Sequence, residues 1–144
     1  MLKEIEGNIL GYTTGIICHQ VNCHKIMGGG LALQIRKKYP NVYDWYKNSK
    51  QTLGTTLITK ADDGLMIANI FGQDGFGTKR RQTNYEALYR GLIDLQDQCV
   101  QLKLPGPIYF PKGMSSALAG GDWRIVSCMI ETIFPSAIII NFKG

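Results

Sequence analysis

Six short runs rich in β-branched and other apolar residues punctuate the chain, at 3–6, 15–21, 55–60, 65–71, 107–110 and 137–142, and each predicts a β-strand. Longer segments with helical spacing lie between them. Leu88, Leu92, Leu95, Cys99 and Leu102 recur at steps of three and four, which predicts a helix over 84–102 with that stripe against a sheet. Asp122 is a good N-cap for a second helix that turns Trp123, Val126, Ile130 and Ile133 inward and stops at Pro135. A third runs over 30–39 and breaks at Pro40, with a shorter one beyond it through Val42, Trp45 and Tyr46. Alternating strands and helices predict a three-layer α/β/α domain on a mainly parallel six-stranded sheet. Asp63-Gly64 is a tight-turn signal between the third and fourth runs, so one hairpin should make the sheet mixed.

The length of 144 residues is that of one domain with a core of its own, and no linker or repeat divides 1–144. Hydrophobic residues make up 44% and charged ones 19%, and no apolar run approaches the ~20 residues of a membrane helix. The opening MLKEIEGNIL has no leader pattern, which makes the cytoplasm the expected compartment. Cys18, Cys23, Cys99 and Cys128 are scattered and read as reduced thiols. Cys18, His19, Cys23 and His24 crowd one stretch, but the spacing offers no second ligand pair for zinc, so no metal is expected.

The net charge of +5 suits a polyanionic partner, either nucleic acid or a phosphorylated small molecule. Arg36, Lys37 and Lys38 fall on the outer face of a helix, and Lys79, Arg80 and Arg81 in a loop, so both clusters read as solvated surface. No aromatic-basic motif of single-strand binders is present, which disfavours nucleic acid.

Ligands of open α/β sheets bind beyond the carboxyl ends of the strands. Two loops there stand out. The first, 22–30, ends in Met27, Gly28, Gly29 and Gly30, then Leu31 of a helix; backbone N–H groups at such a helix start favour phosphate. It is not the dinucleotide fingerprint, because Leu33 stands where the third glycine belongs. The second, 112–121, carries Ser115, Ser116, Ala117, Leu118 and Ala119 between a strand and the helix after Asp122. Two such loops facing each other would bracket a diphosphate with main-chain donors.

The stretch VNCHKIMGGGLALQIRKKYP at 21–40 resembles the first phosphate loop and helix of macrodomains, ALAGGDW at 117–123 their second loop, and EGNIL at 6–10 the end of their first strand. The resemblance spans the chain and points to the branch of ADP-ribose 1''-phosphate phosphatases and ADP-ribosyl-glutamate hydrolases. It implies that the protein binds ADP-ribose or a derivative, including an ADP-ribosylated protein, with no cofactor. Asn8 and Ile9 match the adenine contact, Asn141 and Phe142 the strand end whose aromatic ring covers adenosine, and Asn22 the residue facing the distal ribose. Met27 to Leu31 match the first phosphate loop and Ser115 to Ala119 the second. Relatives usually carry glycine at the positions of Ser115 and Ala117. The lysine–aspartate pair of the ester hydrolases is not matched, since Leu118 and Ala119 stand where the aspartate falls.

Water attack at the distal ribose is then the simplest catalytic route, with Asn22 positioning that sugar. His19 and His24 are the candidate general bases, because an imidazole titrates near neutrality; a buried structural role is the competing reading of His19. Gln73 and Asp74 follow the strand that ends at Phe71 and are candidates to order the water, with a plain polar loop edge as the competing reading. The two function classes that follow are a hydrolase of ADP-ribose derivatives and a non-catalytic ADP-ribose reader.

Overall fold

A computed structural model describes residues 1–75, 80–116 and 119–142. The strands are β1 (Lys3–Glu6), β2 (Ile16–Val21), β3 (Thr56–Lys60), β4 (Met66–Phe71), β5 (Ile108–Pro111) and β6 (Ile138–Asn141). The helices are α1 (Gly30–Lys38), α2 (Pro40–Asn48), α3 (Tyr85–Gln101) and α4 (Trp123–Ile133), with a 3-10 turn at Ile9–Gly11. All six strands form one sheet in the order β1-β6-β5-β2-β4-β3. Neighbours run parallel except β3 and β4, the predicted hairpin. Asp63 closes that turn by accepting the Leu65 N–H at 3.0 Å.

Side chains alternate across the sheet and so build two cores. Ile16, Cys18, Ala68 and Ile70 meet Leu88, Leu92, Val126 and Ile130 of α3 and α4. On the other face Ile17, Leu65 and Ile67 meet Ile35 and Val42 of α1 and α2. The result is the expected three-layer α/β/α arrangement.

Helix starts follow their capping residues. The Asn84 side chain accepts the Ala87 N–H at 3.0 Å, Asp122 accepts that of Arg124 at 2.9 Å, and Pro40 occupies the first turn of α2, where its missing N–H costs nothing. One predicted core position turns outward. Leu102 is the C-cap of α3, past the last helical turn. In α2, Trp45 sits on the outer side while Val42 and Tyr46 face inward. Among the described residues no helix is long and apolar enough to cross a membrane.

Candidate functional site

Because β1, β6, β5, β2 and β4 are parallel, their carboxyl ends share one edge of the sheet. The chain leaves β2 to form β3 and β4 on one side and later returns to form β5 on the other. The boundary between β2 and β5 is therefore the topological switch point, where adjacent loops diverge and leave a crevice. A cleft of about 560 Å³ opens there, walled by Asn22, Ile26 and Gly28 to Leu31 on one side and Lys112 to Ser115 with Ala119 on the other. His19, Gln20 and Gln73 also line it.

Asn22 builds the first wall. Its Oδ1 accepts the His24 N–H at 2.9 Å and lies 3.4 Å from the Ile26 N, while its Nδ2 donates to the Ile26 carbonyl at 2.8 Å. The buried Tyr46 hydroxyl lies 2.7 Å from the Asn22 carbonyl and 2.9 Å from its Oδ1. The amide thus spends its acceptor and one of two donor hydrogens on folding the loop. Met27, expected against the ligand, is fully buried with Val21, Tyr46 and Phe71; its side chain anchors the loop from below. Gly29 caps α1 in extended conformation with no side-chain cap, and the first turn contains no acidic residue. The positive end of that helix dipole is left for an anion.

His19 corrects the general-base expectation. It is buried in β2, where its Nε2 donates to Asn69 Oδ1 at 2.7 Å; the Asn69 Nδ2 is directed at the Leu57 carbonyl, which fixes this orientation. Burial pushes the imidazole down to about 4, outweighing the bond to Asn69. The ring is neutral at physiological pH and carries its lone pair on Nδ1, which has no hydrogen-bond partner among the described residues. His24 is half-exposed in the loop, with Nε2 3.8 Å from Asp74 Oδ2 on the segment after β4. It does not line the cleft.

In the second wall Ser115 adopts φ +68°, a left-handed conformation rare for a side-chain-bearing residue. Glycine would adopt that geometry without the steric cost a Cβ imposes. The buried Ala119 carbonyl accepts the N–H groups of Gln82 and Thr83 at 2.7 and 3.1 Å, tying the loop to the segment before α3. Ser116 donates to the Gly113 carbonyl and lies off the cleft lining. Ala117 and Leu118, like Lys79, fall outside the described residues.

The proposed adenine contacts lie further along the same edge and outside the cleft lining. Asn8 accepts the Leu10 N–H at 3.0 Å to cap the 3-10 turn, Ile9 is buried in the core, and Asn141 ends β6 beside them, followed by the exposed Phe142. Their adjacency follows from parallel pairing of β1 with β6. Cys18 and His19 point to opposite faces of β2, and no three His, Cys, Asp or Glu residues among those described converge as metal ligands.

Two participants escaped the sequence reading. Gln20 lies near the end of β2 and Thr83 just before α3, neither in a loop with a recognisable motif; the sole signal, for Gln20, was a polar side chain at the end of an otherwise apolar strand face. Lys112 also lines the cleft, while its Nζ pairs with Glu4 Oε2 of β1 at 3.2 Å.

This architecture defines the macrodomain fold. The macrodomain of Mycobacterium tuberculosis DarG superposes with a TM-score of 0.84 at 23% identity, covering 100% of this chain and 98% of that one. In sequence, a DNA ADP-ribosyl glycohydrolase of Mycobacterium tuberculosis is 28% identical over 144 residues, and an ADP-ribose 1''-phosphate phosphatase of Candida albicans is 35% identical over 85. These alignments cover 93% and 51% of this chain but only 39% and 54% of the relatives' own lengths. No family model matches the chain.

Proposed function

We propose that the cleft binds ADP-ribose, with the diphosphate between the two loops and the distal ribose at the end of β2, and that it hydrolyses a bond carried by that ribose. The observation that supports this most is the pairing of an uncapped helix N-terminus with a tight loop of small residues across the switch-point crevice. The relatives named for ADP-ribosyl and ADP-ribose 1''-phosphate hydrolysis agree with it.

In this reading the remaining Asn22 Nδ2 hydrogen and the His19 Nδ1 lone pair orient hydroxyls of the distal ribose. His19 acts as an acceptor, since a neutral imidazole with so low a proton affinity is a weak base. Water attacks the phosphorus of a 1''-phosphate, breaking its bond to the ribose oxygen and releasing inorganic phosphate with ADP-ribose, or attacks the linkage to an acceptor, which leaves carrying a proton from the water; the loop N–H groups stabilise the charge that develops. The acceptor is a phosphate, an acidic side chain or, as the mycobacterial relative's name suggests, DNA.

The commitment of Asn22 to its own loop and the depressed His19 favour one alternative, a reader that holds ADP-ribose without turnover. Titration calorimetry with ADP-ribose and AMP, followed by incubation with ADP-ribose 1''-phosphate, an ADP-ribosyl-glutamate peptide and an ADP-ribosylated oligonucleotide, separates the readings. Micromolar ADP-ribose binding, at least tenfold tighter than AMP, with product from one substrate is the expected result. Equal AMP affinity removes the two-loop site; tight binding without product over hours leaves the reader.

A further inference from the structure

At the back of the cleft Gln20 occupies the centre of a closed polar network. Its Nε2 donates to Gln73 Oε1 at 2.8 Å and to Thr83 Oγ1 at 3.0 Å, using both hydrogens. Its Oε1 accepts the Ser115 hydroxyl at 2.7 Å. Thr83 in turn donates to the Ser115 carbonyl at 2.7 Å, which also receives the Gly121 N–H at 2.8 Å. Gln73 passes the chain on to the Gly75 carbonyl at 2.8 Å. Ser115 is therefore held at its hydroxyl and at its carbonyl, from three directions, in the conformation a serine least readily adopts by itself.

Two glycines show that the surrounding chain makes room for this network. A Cβ on Gly72 would stand 2.4 Å from Gln20 Oε1, and one on Gly121 would stand 2.5 Å from the Ser115 carbonyl oxygen. Both contacts are too short for any real side chain, so any larger residue at either position would push the network apart.

We propose that Gln20 is a positioning residue: through Ser115 it holds the second loop in its ligand-binding conformation, and through Gln73 it couples that loop to the segment after β4. The functional half of this inference rests on the cleft being the ADP-ribose site; the mechanical half does not. Gln20 forms no part of the reacting groups. It replaces the conformational freedom that glycine would have at position 115 with a fixed geometry imposed from β2.

The test uses Gln20→Met, which keeps length and volume but removes every hydrogen bond, and Gln20→Glu, which keeps an acceptor for Ser115 but cannot donate to Gln73 or Thr83. Each is measured for ADP-ribose affinity and for amide hydrogen exchange. Gln20→Met is expected to weaken ADP-ribose at least tenfold and to speed exchange in residues 112–121 while leaving α1 unchanged, with Gln20→Glu showing the same pattern to a smaller degree. Ser115→Gly on the Gln20→Met background is expected to restore affinity to within threefold of wild type, because glycine holds a positive φ without a brace. Unchanged affinity and exchange in both variants overturn the proposal. So does faster exchange spread over the whole protein without rescue by glycine, which marks a purely structural glutamine. If the wild type fails to bind ADP-ribose, the functional reading falls, and exchange in 112–121 still decides the brace.

Discussion

His19 shows how one buried side chain sets a pH dependence. In the folded protein its imidazole titrates at about 4, against about 6.5 when exposed, because burial penalises the charged form. The unfolded chain therefore takes up a proton before the folded one does, and stability is lost as pH falls through the window from about 6.5 to about 4. Between pH 7.5 and 5.0 this group alone is expected to lower unfolding free energy by about 2 kcal/mol. Urea unfolding at the two pH values, compared between wild type and His19→Asn, checks this; an equal pH effect in both proteins would mean His19 is not buried as described. The identity of this residue was plain in the sequence, and its burial was one of two readings. Which reading held depended on Asn69, fifty residues away, whose carbonyl fixes the tautomer.

Among the elements, the first turn of α1 is where backbone and chemistry can be separated experimentally. Gly29 has φ −151°, an extended geometry open to any residue, whereas Gly30 has φ +55° and favours glycine. Gly29→Glu is therefore expected to keep the fold while losing at least a hundredfold in ADP-ribose affinity, since a carboxylate would occupy the anion position at the helix start. Circular dichroism and calorimetry on the variant test this, and full affinity in a folded variant would place the phosphates elsewhere. Strands and helices were legible at this scale because their periods repeat over several residues. The misplaced inward position, Leu102, fails for a geometric reason: a stripe read from spacing says which residues share a face, but not where the helix ends.

For the molecule as a whole, a ligand that binds only the folded state must raise its stability. At a hundredfold excess over its dissociation constant ADP-ribose is expected to add about 2.7 kcal/mol, which for a chain of this size shifts the melting temperature by roughly 8 °C. Absence of any shift at millimolar ADP-ribose would count against the site. The net charge of +5 supplies the control. Basic side chains such as Arg36, stacked 4.5 Å from the Tyr43 ring, are spread over the α1–α2 surface, so weak oligonucleotide binding should vanish with added salt while ADP-ribose binding persists.

The alternation of apolar runs, the cap residues and the glycine-rich loops determined by themselves the layer order, the parallel sheet with one hairpin and the edge on which a ligand belongs. These features are local, and each is encoded within a few residues of where it acts. Only the tertiary structure decided what the side chains on that edge do. It turned Asn22 into a loop fastener, gave His19 a neutral ring, and joined Gln20, Gln73, Thr83 and Ser115 across the sheet. Hydrogen-bond commitments and burial are set by distant partners, Gln20 and Ser115 being 95 residues apart, and no spacing along the chain records them.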